Sequence, residues 1–378
     1  MEQETSNTRV LPVEFTGSGR EYFGIWIVNI LLIIITLGIY TAWAKVRTRK
    51  YFYNNTRLDG AIFDYHARPI AILKGWAIVV VVLIIQQLLA AMNPLYGISM
   101  LALIMLLLPW AMVRSRVFNM MNTSYRNVRF YFEREYKPLY SIFLIAPLPI
   151  IIGYGLMFYA GASAEESGET PGTGLMLLSG LFILAGFLLL PYYLYRFYDF
   201  IISRSSFGRS RFVYHSTARA FYSIYLKAFA LGLLLGVALL VVIGLSSFLV
   251  DVAGGMFTGP LAIVSMLIYI VGIFYLIYYV EAAKLNEIWG KSSIDSNRFR
   301  SSLTPWGLMW VMLSNTLLII ITIGIYIPWA HVRLRRYRLG HLSLEVTSDL
   351  DSFIAKRHEE LGALGSELGD AMDFEISL

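Results

Sequence analysis

The stretch from Asn29 to Tyr51 reads NILLIIITLGIYTAWAKVRTRKY, and the stretch from Asn315 to Tyr337 reads NTLLIIITIGIYIPWAHVRLRRY. Each joins an uncharged apolar run directly to a basic segment, and the two agree at most positions. An apolar run with a basic flank is typical of a helix that ends at the cytoplasmic face of a membrane. Because the pattern occurs near both ends of the chain, it raises the question of which side of the membrane each copy occupies.

The composition of the whole chain indicates a membrane protein. Of its 378 residues, 57% are hydrophobic and only 15% are charged, and its mean hydropathy is +0.62. A transmembrane helix needs about 20 apolar residues, and the apolar runs do not alternate as barrel strands would. We therefore predict an all-α polytopic membrane protein with eight apolar segments, at 22–43, 70–91, 96–113, 139–160, 174–195, 221–249, 258–280 and 305–329.

The segments between the apolar runs are of two kinds. Three short connections, MNPLYG, GASAEESGETPGTG and VDVAGGMFTG, contain neither Lys nor Arg. The other connections are basic and hold most of the 31 Lys and Arg residues of the chain. Since Lys and Arg are enriched on the cytoplasmic side, we place the basic segments there and the three short connections on the opposite side.

The basic segments resemble one another, which indicates tandem repeats. Trp43, Arg47 and Asn55 recur 67 residues later as Trp110, Arg114 and Asn122. We interpret residues 1–346 as a single membrane domain of about five repeat units, followed by an acidic cytoplasmic tail, 347–378. The basic repeat segments are 42–66, 109–133, 191–215, 278–302 and 328–346.

Each repeat predicts a short β-hairpin after a basic helix. A turn such as LDGA, YRNV or FGRS is followed by a short alternating stretch such as AIFDYH or VRFYFE. Asp-Gly between such stretches is a strong hairpin signal. We expect a small cytoplasmic layer of β-hairpins, with VLPVEFTG near the start and HLSLEV near the end as edge strands.

The twin terminal segments conflict with eight full crossings. If all eight crossed, the basic flanks of the first and last segments would lie on opposite sides of the membrane, against the charge rule. We predict six full transmembrane helices and two terminal segments that re-enter or lie at the interface, turning at Gly38 and Gly324, with both termini cytoplasmic. The alternative is a full crossing at each end with one basic cluster on the other side.

The repeated pattern TLGIYxxWAKVRxRxYxxxxT resembles the YjgN family of bacterial inner-membrane proteins, a family of unknown function. The resemblance runs from about Phe15 to the end of the chain and includes the closing GDAMDFEISL. It implies a location in the bacterial inner membrane and implies no mechanism. The third and fourth repeats depart from the pattern because they lack its Trp, so a shared role for that position does not extend to them.

Two sets of polar residues are candidates for a functional site. The first would line a cavity within the membrane: Asn29, Thr36, Gln86, Gln87, Asn315 and Thr322. Their alternative role is hydrogen bonding between helices. The second would contact lipid phosphates at the cytoplasmic headgroup level: Arg47, Arg49, Arg114, Arg116, Arg333 and Arg335. Their alternative role is to fix the topology, and the i, i+2 spacing does not put both Arg of a pair on one helix face.

The remaining sequence features argue against an enzyme. The chain has no cysteine, its five His residues are scattered, and it contains no nucleotide-binding or nucleophile motif. We expect no cofactor, metal or nucleic acid partner; the expected partner is the lipid bilayer, including anionic phospholipid. Two functions remain open: transport or channelling of a small molecule or lipid, and a non-transporting scaffold or anionic-lipid-binding protein.

Overall fold

The computed structural model describes residues 9–168, 170–253 and 258–347, which form eleven helices and ten strands. The acidic tail at 347–378 lies, apart from Thr347, outside the described residues. The helices are α1 (Gly19–Ile35), α2 (Thr41–Asn54), α3 (Pro69–Met92), α4 (Pro94–Met121), α5 (Lys137–Ile145), α6 (Leu148–Ser167), α7 (Thr173–Ser203), α8 (Ala218–Ala253), α9 (Thr258–Gly290), α10 (Pro305–Ile321) and α11 (Ile327–Gly340). The strands are β1 (Arg9–Phe15), β2 (Thr56–Leu58), β3 (Ala61–Tyr65), β4 (Thr123–Tyr125), β5 (Val128–Phe132), β6 (Ser205–Phe207), β7 (Ser210–Tyr214), β8 (Ser292–Ile294), β9 (Asn297–Ser301) and β10 (Leu342–Val346).

The chain repeats one arrangement five times: a helix runs into a β-hairpin, and another helix leaves it. Helices α2, α4, α7 and α9 lead into the hairpins β2–β3, β4–β5, β6–β7 and β8–β9. The fifth hairpin is split, because β10 follows α11 and pairs antiparallel with β1, from Arg9 opposite Val346 to Pro12 opposite Ser343. The five basic repeat segments thus correspond to five equivalent helix ends and the strands that follow them.

Local chemistry explains the hairpins. The turn residues Asp59 and Gly60 have φ of 48° and 73°, and Arg126 and Asn127 have φ of 46° and 64°. Two consecutive left-handed residues make the turn whose twist matches that of the flanking strands. The hydroxyl group of the first strand residue also caps the preceding helix by donating to the carbonyl oxygen four residues earlier. These bonds are Thr56 to Phe52 at 2.8 Å, Thr123 to Asn119 at 2.8 Å, Ser205 to Ile201 at 2.7 Å and Ser292 to Ile288 at 2.6 Å.

The five hairpins close into a ten-stranded antiparallel barrel with the order β1-β10-β9-β8-β7-β6-β5-β4-β3-β2. Neighbouring units are joined by five equivalent backbone hydrogen bonds of 2.7–3.0 Å, in which the residue after one hairpin donates to the residue before the next. The pairs are Thr16 to Asn55, His66 to Asn122, Glu133 to Arg204, His215 to Lys291 and Ser302 to His341. The fivefold repetition of the sequence is therefore also present in the backbone.

The closed barrel corrects the predicted fold class. The all-α description is wrong, because all ten described strands pair into one barrel. The VLPVEFTG and HLSLEV stretches are not edges either, since β1 and β10 pair with each other and close the ring. Strands of three and five residues give too weak a signal to show that five separate hairpins join edge to edge.

The count of eight membrane segments is also wrong. Within the described residues, six helical segments are long and apolar enough to cross a bilayer, the third of which combines α5 and α6: Pro69–Met92, Pro94–Met121, Lys137–Glu166, Thr173–Ser203, Ala218–Phe248 and Ala262–Gly290. They form three long helical hairpins on the barrel, α3–α4, α5–α6–α7 and α8–α9. In each segment, at most 17% of the 18 residues that make up its apolar stretch are buried within the protein.

The other two predicted segments, 22–43 and 305–329, each fold as a short helix, a tight turn and a second helix. The chain reverses at Gly38, with φ of 92°, and at Gly324, with φ of 88°. In both turns a Thr hydroxyl closes the loop: Thr36 accepts from the amide of Tyr40 at 2.9 Å, and its twin Thr322 accepts from Tyr326 at 3.0 Å. The hairpins α1–α2 and α10–α11 thus begin and end at the barrel.

Each terminal hairpin is held together by an Arg–Asn contact. Arg47 of α2 donates to the buried side chain of Asn29 in α1, with 3.3 Å between Nη1 and Oδ1. Arg333 of α11 makes the same contact with the buried Asn315 of α10, also at 3.3 Å. These pairs join the two arms of each hairpin across the turn.

Candidate functional site

Equivalent positions of the five units converge at the mouth of the barrel. The residue seven positions before the first strand of each unit is Arg49, Arg116, Tyr198, Leu285 or Arg335. Four of these five line a single cavity between the helix ends and the barrel interior, and Arg49 lines a second cavity beside it. The repeat thus brings together side chains that, from one unit to the next, are about 50 to 90 residues apart in the sequence.

The barrel interior contains a ring of apolar side chains at one level. Strand register places them directly opposite one another in pairs: Val13–Leu58, Phe63–Tyr125, Phe130–Phe207, Phe212–Ile294 and Phe299–Leu344. All ten line the first cavity. The aromatic members contact each other around the ring, for example Phe130 and Phe207 with ring centroids 5.0 Å apart. This closed belt, which we call the apolar ring, forms the wall of the cavity.

The space inside the apolar ring, which we call the chamber, has a volume of about 630 Å³. Small-molecule sites in proteins typically span roughly 300–1,000 Å³. Towards the barrel turns, the chamber reaches Asn297, which is 1% exposed and whose amide nitrogen and oxygen have no partner among the described residues. Buried amides are normally hydrogen-bonded, so this group is available to an occupant of the chamber.

The end of the chamber near the helices, its roof, carries charge. The Nε atom of Arg116 is buried without a hydrogen-bond partner in the described part of the chain. Arg335 lies over the ring of Phe52, 5.2 Å from its centroid, and no carboxylate within the described ranges pairs with it. Arg335 keeps an exposed surface and lines both cavities, and the protein packed around it lowers its pKa, with the nearby charge of Arg338 as a smaller cause.

The one carboxylate that lines the chamber within the described residues is already paired. Glu281 accepts from Nζ of Lys284 at 2.7 Å and from Nη2 of Arg338 at 3.4 Å. It therefore does not neutralise Arg116 or Arg335. The roof keeps two guanidinium groups without an anionic partner, which makes it suited to a negatively charged ligand.

A second cavity of about 490 Å³ adjoins the chamber between α2, α9 and α11. We call it the basic pocket, because Arg49, Arg335 and Arg338 line it, together with His331. Burial, followed by the nearby charge of Arg335, lowers the pKa of His331. Tyr53, Trp289 and Arg335 line both cavities and form their common wall.

The predicted phosphate contacts separate into two groups. Arg116 and Arg335 line the chamber, and Arg49 lines the basic pocket while donating to Tyr65 at 2.7 Å and to Asn119. The other three lie away from both cavities. Arg47 and Arg333 join the terminal hairpins, and Arg114 lies over Trp110 with its guanidinium 5.8 Å from the ring centroid.

The six predicted cavity residues lie outside the chamber and the basic pocket. Asn29 and Asn315 bind Arg47 and Arg333, and the two Thr hydroxyls close the turns of the terminal hairpins. Gln86 and Gln87 lie on α3. Sequence reasoning missed the apolar ring, Glu281 and Asn297. The signal available for the ring was the bulky residue that recurs at the third position of each first strand: Leu58, Tyr125, Phe207, Ile294 and Leu344.

These features define a multi-pass membrane protein whose helical hairpins carry a β-barrel chamber. The chain belongs to the DUF898 family of bacterial proteins of unknown function, whose family model matches residues 10–371. It is 26% identical over 358 residues to inner membrane protein YjgN of Salmonella typhimurium strain LT2, which covers 89% of each chain. It is 28% identical over 333 residues to inner membrane protein YjgN of Escherichia coli O157:H7, covering 83% of each chain. No solved structure matches the chain.

The predicted resemblance to the YjgN family is therefore confirmed, and it extends over nearly the whole chain. The relatives bear the name of inner membrane proteins, in agreement with the apolar helices of this chain.

Proposed function

We propose that this protein binds an amphipathic anion from the inner membrane in its barrel chamber. The apolar part of the ligand occupies the apolar ring, and its negative group lies at the roof. The observation that carries the proposal is the closed ring of ten apolar side chains beneath Arg116 and Arg335, which have no carboxylate partner among the described residues.

Both halves of the site select against other ligands. Burial of apolar surface contributes roughly 25 cal/mol per Å², so the ring favours a hydrocarbon over a hydrophilic solute. A guanidinium group withdrawn from bulk water is stabilised by a charge-assisted hydrogen bond to an anion. A neutral lipid would leave Arg116 and Arg335 unpaired, and a small hydrophilic anion would leave the apolar ring unfilled.

The orientation of the chamber makes the membrane the source of the ligand. We place the barrel and both termini on the cytoplasmic side, because the basic helix ends all meet the barrel and positive charge favours that side. The three long helical hairpins then cross the bilayer, and the two terminal hairpins dip into it. The 17 residues of α1 span about 25 Å, at roughly 1.5 Å per residue, against a hydrocarbon core of about 30 Å.

Transfer of the ligand across the membrane is a second candidate function, favoured by the shape of the chamber. Its lining continues along α9 from Trp289 to Glu281, eight residues or roughly 12 Å away from the barrel at about 1.5 Å per residue. This extension gives a lipid a route between the helices and the barrel. The proposal involves no chemical reaction: the lining groups bind the ligand and do not alter it, so we classify the protein as a non-enzyme.

The test fills the chamber with a larger side chain. Met120 lines the chamber, and Met105, on the same helix, is 54% exposed on its outer surface. We expect the full chain in non-ionic detergent to bind oleate with one saturable site, Met120→Trp to bind it at least tenfold more weakly, and Met105→Trp to be unchanged. Isothermal titration measures the three affinities. Equal binding by Met120→Trp and the unchanged chain would overturn the proposal.

The second candidate has its own measurement. Proteoliposomes that contain a fluorescent anionic lysophospholipid report its movement between leaflets through its accessibility to an added quencher. Transfer that depends on the unfilled chamber, and is lost in Met120→Trp, supports transport. Binding without transfer supports the non-transporting alternative.

A further inference from the structure

The basic pocket has an excess of positive charge that the described protein does not balance. Arg49, Arg335 and Arg338 line it, and no carboxylate does so within the described residues. Arg338 contributes to the lowered pKa of Arg335, after the larger effect of burial. Like charges held close together in a cavity destabilise one another, and an anion placed among them removes that cost.

The pocket also presents hydrogen-bond donors from several directions. The Nε atom of Arg338 is buried without a partner in the described part of the chain, and Arg335 lies on the shared wall. Thr48 of α2 adds a hydroxyl group to the polar lining, whereas the hydroxyl group of Ser301 already donates to Oδ1 of Asn286 at 2.7 Å. A phosphoryl group has three acceptor oxygens and close to two negative charges, whereas a carboxylate has two oxygens and one charge, so a cluster of guanidinium groups suits the phosphoryl group better.

Glu281 connects the two cavities through an ion pair. It lines the chamber and reaches Arg338, which lines the basic pocket, at 3.4 Å. A second negative group in the pocket would therefore compete with Glu281 for the same guanidinium. Lys284, at 2.7 Å from Glu281, keeps that carboxylate paired when Arg338 turns to the ligand.

We propose that the basic pocket holds the phosphoryl group of a phosphomonoester lipid whose hydrocarbon part lies in the chamber, with Arg335 and Arg338 as its main ligands. The assignment rests on the proposed function and narrows its ligand class from an amphipathic anion to a phosphomonoester lipid. Because Arg335 lines both cavities, one ligand can occupy both at once.

The experiment compares four probes on the full chain in non-ionic detergent: oleoyl lysophosphatidic acid, oleate, oleyl alcohol and inorganic phosphate. We expect lysophosphatidic acid to bind at least tenfold more tightly than oleate, and oleyl alcohol and inorganic phosphate to bind more weakly than either. Arg338→Gln should remove the tenfold higher affinity for lysophosphatidic acid relative to oleate and leave the affinity for oleyl alcohol unchanged. Arg338→Lys, which keeps the charge and loses the planar donor set, should lose part of the advantage.

The control variant is Arg336→Gln. Arg336 lies two residues away on the same helix, is exposed, and donates to the carbonyl oxygen of Gly17 at 2.9 Å instead of lining the pocket. It should bind all four probes as the unchanged chain does. Gel filtration and thermal unfolding show that each variant is folded before its affinities are compared.

The outcomes separate this inference from the proposed function. Equal affinities for lysophosphatidic acid and oleate, or an Arg338→Gln variant that keeps the phosphate advantage, overturn the inference while leaving the chamber as an acyl site. Inorganic phosphate that binds as tightly as lysophosphatidic acid assigns the pocket to free phosphate and overturns the lipid version. Failure of all three probes that carry an 18-carbon chain to bind overturns the proposed function itself.

Discussion

The two terminal helical hairpins and the three long ones connect equivalent barrel strands, but their helices differ in length. In the long hairpins, helices such as α3 and α4, of 24 and 28 residues, extend far from the barrel. In the terminal ones the chain turns back after 17 residues, at Gly38 or Gly324. The barrel part of the unit is constant because every hairpin must pair with two neighbours, whereas the helical part is free to vary. The chamber therefore depends on the barrel strands, which all five units share, whereas the distance that a unit extends from the barrel depends on the length of its helices.

The largest expected difference between the two kinds of hairpin is in their accessibility from outside the cell. Because the chain lacks cysteine, single Cys substitutions give an unambiguous signal. Leu37→Cys and Ile323→Cys, at turn residues that are 90% and 93% exposed, should not react with a membrane-impermeant maleimide added to whole cells. Thr170→Cys, between α6 and α7, should react fully. Labelling of Leu37→Cys in intact cells would show that the terminal hairpins cross.

The Arg–Asn contacts distinguish the terminal units energetically. Asn29→Leu leaves Arg47 without one of its partners in a partly buried site and should lower the stability by ~1–3 kcal/mol. Arg114→Gln removes the corresponding Arg of a long hairpin, which lies on Trp110, and should cost about 0.5–1 kcal/mol. Thermal unfolding in detergent measures both. Equal losses of stability for Asn29→Leu and Arg114→Gln would contradict a special role of the Arg–Asn contact in the terminal hairpins.

The turn glycines should respond to substitution in the opposite direction from a glycine within a long hairpin. Gly38→Ala and Gly324→Ala place a Cβ atom on a left-handed backbone, which costs roughly 1–2 kcal/mol. Gly155→Ala in α6 meets no atom within 4 Å and replaces a helical glycine, so it should stabilise by about 0.5–1 kcal/mol. Unfolding temperatures that all shift the same way would contradict this assignment.

The smallest effect should separate the twin terminal hairpins from each other. The hydroxyl group of Tyr51 donates to the carbonyl oxygen of Ser18 and accepts from its amide, both at 2.8 Å, at the start of α1. Its twin Tyr337 contacts Thr304 at 3.2 and 3.4 Å. Tyr51→Phe should therefore cost about 1 kcal/mol, and Tyr337→Phe less.

Alkaline pH gives a second measurement of Tyr51. Burial raises its pKa to about 12 from an ordinary value of 10.0, so the folded state holds the phenol proton more tightly than the unfolded state. The resulting stabilisation is present below pH 10 and is lost as the pH rises towards 12. Tyr51→Phe should reduce the fall in unfolding temperature across this range, and an unchanged fall would contradict the assignment.

The sequence predicted the hairpins because their determinants are local. Asp59-Gly60 and Arg126-Asn127 select the turn type within four residues, whatever the rest of the chain does. The reversals at Gly38 and Gly324 were deduced from charge, since two basic flanks needed the same side of the membrane. The hairpin turns depend on neighbouring residues, and the reversals depend on a charge rule that holds for the whole chain.

The barrel and its chamber were not predictable in the same way. Phe130 meets Phe207 only after the β5–β6 pair has formed, and that register depends on helices of the intervening hairpin. The chamber residues from different units share a repeat position, but the repeat alone does not show that the units form a closed ring. Arg116 and Arg335 were both predicted as phosphate contacts, yet only barrel closure brings them to one cavity.

The seam between β1 and β10 has a consequence for biosynthesis. β1 emerges from the ribosome before any helix of the array, and its partner β10 emerges only after α11, more than 300 residues later. Until then β1 has one free edge and the apolar ring lacks Leu344. Ligand binding in the chamber would thus report that all five units have been inserted and assembled, so that an incomplete chain remains empty and open to proteolysis.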